Sequence, residues 1–302
     1  MTAAVGTEWP ATEYEVGREK IREYADALAI AAPIHRDHEA ARAAGFRAVV
    51  APPVFAAVYV ARSLAGAMFD PRAGIFDPAV GLAGYRFVQR RQAFRWHEPV
   101  CAGDTITTTA RLTEAEEREG AGYRTFESES VNQAGLLVLE GRYQGVVPAP
   151  EPRRRGAEQE AAPPAAGGGL TGHRPGERIP GFEITPDRYA AQRYAGASGD
   201  FTPFHLDAGF ARAAGLPGII LHGLYTFGQL AHGLLEPFGG DPRVLRSLAA
   251  RFRRPAFPER KLSVTGVVTA ADGPRVEIAC GVEQGGKEVV TEGRAVLELP
   301  AK

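Results

Sequence analysis

Residues 194–228 read YAGASGDFTPFHLDAGFARAAGLPGIILHGLYTFG, a stretch in which acidic residues and histidines stand among turn-forming glycines and prolines. Asp200 and His205 lie five residues apart with Pro203 between them, on a segment typical of turns rather than of a helix. A carboxylate and an imidazole held close together on a rigid turn can share one water molecule. The stretch therefore predicts an acid–base pair made of Asp200 and His205.

A helix start follows within the same stretch. A short helix is predicted over residues 206–214, because Gly215 and Pro217 would end it, and the apolar run GIIL then leads to His222-Gly223, where a second helix begins. The first N–H groups of a helix have no partner inside the helix and lie at its positive end. The N–H of Gly223 can therefore stabilise a negative charge that develops on a substrate oxygen.

The spacing of Asp200 and His205 is weak evidence when taken alone, since an aspartate can brace a turn and a histidine can be buried with its hydrogen bonds satisfied. The surrounding residues strengthen it. They resemble the motif of the MaoC-like (R)-specific enoyl-CoA hydratases, also called hydratase 2, and one position, Thr202, departs from the asparagine usual there. The matching residues are Tyr194, Ala195, Ser198, Gly199, Asp200, Pro203, His205, Asp207, His222 and Gly223.

The resemblance implies an enzyme, a hydro-lyase that reversibly hydrates a trans-2-enoyl thioester to an (R)-3-hydroxyacyl thioester. Asp200 and His205 would be the catalytic residues. Which of them is the base stays open, with His205 preferred, and the backbone N–H of Gly223 would form the oxyanion hole. Further residues of the motif are expected to support the loop rather than to react, namely Tyr194, Ser198, Thr202 and His222.

The chain repeats this stretch near its N-terminus. A shift of 170 residues lays His35 on His205 without a gap, and eleven of the 22 positions from 24 to 45 are then identical. Self-similarity at such a long period indicates a duplicated domain. In the first copy Ile30 replaces the aspartate, and Pro52-Pro53 replaces His222-Gly223, which removes the backbone donors. We expect one active copy, and a second copy that has lost its chemistry.

The same order of elements is predicted in both copies. A helix over residues 14–28 opens the first copy, and long apolar helices are predicted over 54–69 and 223–238. Each long helix precedes four strands that alternate or are rich in β-branched and aromatic residues. These strands are predicted at 84–96, 105–115, 122–133 and 136–147, and at 244–257, 261–271, 275–284 and 287–299.

One long helix followed by antiparallel strands is the order of the hot-dog fold, so we expect an α+β protein with a double hot-dog architecture. Residues 1–147 would form the N-terminal domain, which the resemblance suggests binds the acyl tail. Residues 148–180, rich in proline, alanine, glycine and charge, would form a linker, and residues 181–302 would form the MaoC-like domain with the active site. The two sheets are expected to join edge to edge as a pseudo-dimer.

Composition excludes several classes of protein. The 302 residues are 44% hydrophobic and 24% charged, with a net charge of −1, so nothing favours a nucleic-acid partner. We expect no signal peptide, because the N-terminal residues lack a basic and then apolar segment, and no membrane insertion, because no apolar run approaches membrane-spanning length. The protein is therefore expected to be cytoplasmic. Cys101 and Cys280 are expected to be buried thiols.

No cofactor is expected beyond the CoA or acyl carrier protein of the substrate, and no metal, because His222 and His232 show no ligand spacing with a third residue. The basic strand with Arg251, Arg253 and Arg254 is a candidate for the carrier's phosphates. The alternative functions are a hot-dog acyl-CoA thioesterase and a non-catalytic subunit that binds acyl thioesters. A homodimer of double hot-dogs is compatible with each of these functions.

Overall fold

The computed structural model describes residues 3–75, 87–148 and 174–300, which contain one sheet and six α-helices. The strands are β1 Glu8–Glu15, β2 Val88–Trp96, β3 Thr105–Arg118, β4 Ala121–Asn132, β5 Leu137–Val147, β6 Phe182–Ile184, β7 Leu245–Phe252, β8 Leu262–Asp272, β9 Arg275–Gln284 and β10 Lys287–Glu298. The helices are α1 Arg18–Ala27, α2 His38–Ala43, α3 Ala56–Met68, α4 Ala190–Ser198, α5 Ala208–Ala213 and α6 Gly223–Leu235.

All ten strands belong to one antiparallel sheet with the order β1-β3-β4-β5-β2-β7-β10-β9-β8-β6. The two halves of this order correspond when each is read from its outer edge, since β1-β3-β4-β5-β2 matches β6-β8-β9-β10-β7. The halves meet where β2 pairs with β7, with Phe94 opposite Leu248. This pairing confirms the predicted edge-to-edge joint, which leaves β1 and β6 at the outer edges of the sheet.

The two long helices lie against the sheet at the centre of their halves. Helix α6 is apolar over most of its surface, and Phe227 and Leu230 are fully buried. Gly228 lets the helix approach the N-terminal half closely, since a Cβ at this position would lie 2.9 Å from Leu28 Cδ1. Helix α3 packs on β1, β3 and β4, and α6 packs on β7, β8 and β9. The expected α+β double hot-dog architecture is confirmed.

The predicted repeat is visible in the loops that precede the long helices. Pro33–His35 and Pro203–His205 both form a turn of 3₁₀-helix, and the six-residue helices α2 and α5 follow at the same interval. The two copies also touch each other. The hydroxyl groups of Tyr24 and Tyr194, which are 170 residues apart, lie 3.2 Å from one another, and the Tyr24 hydroxyl donates to Val54 O.

The local structure differs from the predictions at two points. Helix α1 begins at Arg18 rather than at residue 14, because residues 8–15 pair with β3 as an edge strand. The short strand β6 was not predicted. Tyr189 is the N-cap residue of helix α4, and its N–H donates to an Asp187 carboxylate oxygen.

The predicted linker lies mostly outside the described residues, as do part of the loop before β2 and the predicted start of that strand. Residues 174–180, at the end of the predicted linker, lie against β8, where Ile179 is buried and its N–H donates to Gly266 O. Cys101 and Cys280 are free and buried, as predicted. None of the helices in the described part of the chain is long and apolar enough to cross a membrane.

Candidate active site

Three polar side chains converge in the C-terminal half: Asp200, His205 and His222, with one ligand-type atom from each within 4.8 Å of the others. Helix α4 ends at Gly199, whose left-handed backbone (φ 82°) turns the chain so that Asp200 follows the helix directly. His205 closes the 3₁₀ turn after Pro203, and His222 is the N-cap residue of α6. Residues that are 22 positions apart are thus brought to one point.

The two imidazoles are stacked, with ring centroids 3.7 Å apart and an angle of 25° between the planes. His205 Nδ1 lies 2.8 Å from Ile220 O, and because a carbonyl only accepts, Nδ1 carries the proton and Nε2 keeps a free lone pair. His222 Nε2 donates in the same way to Asp200 O at 2.9 Å. His205 is therefore oriented as a base through Nε2, while His222 ties the helix start to the loop that carries Asp200.

The side chains around Asp200 hold its loop in place. Asp200 Oδ1 accepts hydrogen bonds from Thr202 N at 3.1 Å and from Thr202 Oγ1 at 2.6 Å. Ser198 Oγ donates to Tyr194 O at 2.7 Å and accepts from Asp200 N at 3.3 Å. The Tyr194 ring packs on His222 with centroids 4.9 Å apart. Thr202 stands where the motif usually has asparagine, and its hydroxyl bonds the Asp200 carboxylate.

Burial sets the protonation of the three groups. The pKa of His222 is lowered to about 4, mainly by burial and secondly by repulsion from His205, while the charge of Asp200 acts to raise it. Burial also lowers the pKa of His205, which Asp200 and the bond to Ile220 O partly offset. For Asp200, burial acts to raise the pKa, but the charge that His222 and His205 can carry and the bonds from Thr202 outweigh it and lower the pKa. Near pH 7 the site holds a carboxylate and two neutral imidazoles.

The start of α6 is closely packed. A Cβ at Gly223 would lie 3.1 Å from Gln89 Oε1 and 3.4 Å from Phe252 Cε1, so glycine lets these two side chains lie directly against the helix N-terminus. Gln89 belongs to β2 of the N-terminal half and was not among the predicted site residues. No local signal in the sequence relates it to Gly223, because the contact depends on how the two halves join.

Comparison with known families agrees with this geometry. Residues 173–290 match the model of the MaoC like domain, and residues 3–140 match that of the FAS1-like dehydratase domain region. The chain belongs to the MaoC-like dehydratase family. A UPF0336 protein of Saccharopolyspora erythraea is 40% identical over 135 residues, which are 44% of this chain and 82% of that protein.

Solved structures share the MaoC-like fold over the whole chain. A MaoC-like dehydratase superposes with a TM-score of 0.81 at 24% identity and covers 98% of both chains. A conserved hypothetical protein of Mycobacterium tuberculosis, described as a double hot-dog, has a TM-score of 0.67 at 13% identity and covers 98% of this chain and 96% of its own. These two likenesses concern the fold alone.

The prediction that His222 has no third metal-binding residue near it is wrong, because Asp200 and His205 both place a side-chain atom that can bind a metal beside His222. The two imidazole rings are stacked 3.7 Å apart, and His222 Nε2 and Asp200 Oδ1 are engaged in hydrogen bonds, so an ion could be bound only through the other atoms of these groups. That the reaction needs no metal stays a prediction.

The three arginines predicted to meet phosphate differ in their surroundings. Arg251 pairs with Glu292 at 2.8 Å, and Arg253 pairs with Glu288 at 2.8 Å. Arg254 lines an open groove of about 630 Å³ at the ends of β7, β9 and β10. The other basic residues of the groove are Arg260, Lys261 and Lys287.

The matching region of the N-terminal half is closed. His35 is 1% exposed and its Nδ1 bonds Val50 O at 2.7 Å, which copies the bond of His205 to Ile220 O. The segment after α6 covers it, since a Cβ at Gly240 would lie 3.2 Å from His35 Nε2. A cavity of about 20 Å³ lies beside Pro52 and Pro53.

Proposed function

We propose that the chain reversibly hydrates a trans-2-enoyl thioester to an (R)-3-hydroxyacyl thioester in its C-terminal half. Membership in the MaoC-like family supports hydratase or dehydratase chemistry. The observation that carries the finer proposal is the convergence of Asp200, His205 and His222 beside the N-terminus of α6.

In this proposal the thioester oxygen lies at the N–H of Gly223, at the positive end of α6. Attack of water on the β-carbon moves an electron pair through the enoyl group onto that oxygen. Removing one preorganised donor of this kind typically costs about 3–4 kcal/mol of transition-state stabilisation. Since glycine has no Cβ, the acyl group can approach the backbone of Gly223 beside Gln89 and Phe252.

The proton steps follow from the protonation of the site. His205 Nε2 removes a proton from the water as its oxygen bonds to the β-carbon, and the resulting imidazolium supplies the proton that the α-carbon needs. Asp200 orients the water and stabilises the imidazolium. Asp200 Oδ1 is engaged by Thr202, whereas His205 Nε2 keeps a free lone pair, which favours His205 as the base. The reverse sequence dehydrates the 3-hydroxyacyl thioester.

The basic groove supports a carrier with phosphate groups, as in CoA or an acyl carrier protein. Leu221, which precedes His222, donates from its N–H to Ala256 O at 2.8 Å, and Arg254 and Pro255 of the groove precede Ala256 directly. Arg254 lines the groove whereas Arg251 and Arg253 do not, so Arg254 is the arginine of the three that we assign to the carrier's phosphates.

The N-terminal half is proposed to take part in holding the acyl tail. Small residues, which leave space for a chain, lie along α3 at Ala56, Ala57, Ala61 and Ala65. A homodimer of double hot-dogs stays a prediction, which light scattering on the purified chain would check.

Incubation with crotonyl-CoA tests the proposed reaction. Loss of the enoyl absorbance without release of free thiol, with (R)-3-hydroxybutyryl-CoA as product, is the expected result. Free thiol would indicate a thioesterase instead. Binding of crotonyl-CoA without any turnover would indicate a non-catalytic acyl-thioester-binding subunit.

A further inference from the structure

Gln89 brings a side chain of the N-terminal half to the helix start of the C-terminal half. It lies on β2, the strand that pairs with β7 across the joint. Its Oε1 would be 3.1 Å from a Cβ at Gly223, on a helix end that also has Phe252 beside it. Any ligand that reaches the N–H of Gly223 therefore passes close to this amide.

The orientation of the Gln89 amide follows from a chain of hydrogen bonds. Gln92 is 3% exposed, and its Nε2 donates to Ala93 O at 3.2 Å. Its Oε1 therefore faces Gln89 and accepts from Gln89 Nε2 at 2.9 Å. Because an amide has one nitrogen and one oxygen, Gln89 must turn Oε1 towards Gly223.

The oxygen that faces Gly223 is an available acceptor. Within the described residues, Gln89 Oε1 accepts no hydrogen bond, and the side chain is half-buried, so the atom stays accessible to a ligand. Gln89 Oε1 in this position favours ligands with an N–H or O–H donor next to the oxygen that binds to the N–H of Gly223.

We propose that Gln89 is a specificity residue that accepts a hydrogen bond from the first amide N–H of the substrate's pantetheine arm. This rests on the proposed function, in which the thioester oxygen lies at the N–H of Gly223. In a pantetheine thioester two methylenes separate the sulfur from that amide, so its N–H lies close to the thioester oxygen. The N-terminal half, which has no catalytic pair, thus binds the pantetheine arm that CoA and acyl carrier proteins share.

A pair of matched substrates tests this contact. The crotonyl thioester of N-acetylcysteamine carries the amide, whereas the crotonyl thioester of pentanethiol has methylenes in its place. Gln89→Leu should lower kcat/KM for the amide thioester by about three- to tenfold, mainly through KM, and leave the pentyl thioester unchanged. An equal loss on both thioesters, or no loss on either, would overturn the assignment.

Binding of unreactive analogues separates this proposal from the proposed reaction. The butyryl thioesters of N-acetylcysteamine and pentanethiol are titrated into the full chain, wild type and Gln89→Leu, with backbone amide chemical shifts as the readout. The wild type should bind the amide ligand more tightly, and the variant should bind both alike. If the preference is present without any turnover of crotonyl thioesters, the reaction is wrong and the contact stands. If wild type and variant show the same preference, the contact is wrong.

Discussion

The two halves of the molecule share a local frame but differ at the three positions proposed for the chemistry. His35 and His205 occupy the same turn and make the same bond to a backbone carbonyl 15 residues further on. Asp37 and Asp207 likewise cap the helices that follow. The frame is thus kept in the half that has Ile30 and Pro52-Pro53, which indicates that the histidine and its turn have a structural role in both halves.

The halves differ also in how the loop is covered. In the N-terminal half, Phe46 is buried and the guanidinium of Arg243 stacks on its ring at 4.3 Å. In the C-terminal half, Leu216 stands at the corresponding position and is half-buried, while Phe201 is 62% exposed beside Asp200. The loop around His205 is therefore less covered than the loop around His35, which agrees with the proposal that substrate binds in the C-terminal half.

Removing the carboxylate from the open half should have the largest effect. Asp200→Asn keeps the size of the side chain but abolishes the charge opposite His205, and turnover of crotonyl-CoA should fall by about 10²-fold or more. Steady-state kinetics measure the loss, and circular dichroism confirms that the variant is folded. Near-normal turnover in the folded variant would contradict the role of Asp200.

The second largest effect is expected when Gly223 of the open half is replaced by proline, the residue at the equivalent position Pro53 of the closed half. Gly223→Pro removes the proposed oxyanion donor, and kcat should fall by about 10²–10³-fold. The fold should tolerate the change, because proline suits the first position of a helix and His222 already has the extended backbone (φ −61°, ψ 144°) that a following proline needs.

Gly223→Ala is the matched control for this variant. It keeps the N–H and adds a Cβ 3.1 Å from Gln89 Oε1, so it should lose much less activity than Gly223→Pro. Equal losses in the two variants would mean that space, and not the backbone donor, is what glycine provides.

Two buried histidines, His35 in the closed half and His232 in helix α6, should make the protein sensitive to acid. Burial lowers the pKa of His35 to about 4, although bonds to the backbone of Val50 and Gly240 act to raise it, and burial lowers the pKa of His232 to about 4. The unfolded chain takes up protons below pH 6.5 and the folded chain only near pH 4. The free energy of unfolding should therefore fall between these values, by on the order of 3 kcal/mol per histidine.

Urea unfolding at pH 7, 6 and 5 measures this dependence. The His35→Gln variant should be less stable than the wild type at pH 7 but should lose less stability as the pH falls. A wild-type unfolding midpoint that does not change over this range would show that these histidines are not buried as neutral groups.

The smallest effect concerns the acyl tail. If α3 helps to hold the tail, Ala57→Phe or Ala61→Phe should raise KM for a long enoyl-CoA by about tenfold and leave a four-carbon substrate unaffected. Such overpacking typically costs about 1–3 kcal/mol, so the folded fraction is measured first. Equal losses on short and long substrates in both folded variants would leave the N-terminal half as a structural partner only.

Much of the difference between the two halves could be predicted from the sequence, because both the repeat and the alternation of apolar and polar residues in the strands are visible along the chain. Strand β9 spans the predicted residues 275–284, and α6 begins at the predicted Gly223. The edge strand β1 was missed since its sequence is charged and contains Pro10, which only an edge tolerates. The stacking of His205 on His222 and the approach of Gln89 depend on chain segments meeting in space, and no spacing along the sequence indicates either.

The claim that one half is active and the other closed is tested most directly by a paired measurement. His205→Gln and His35→Gln remove equivalent imidazoles from equivalent turns, and both are assayed with crotonyl-CoA after the folded fraction has been determined. His205→Gln should lose about 10²-fold or more in turnover. Folded His35→Gln should keep the wild-type rate on this short substrate. A comparable loss in both variants would contradict the division of the molecule into an active and an inactive half.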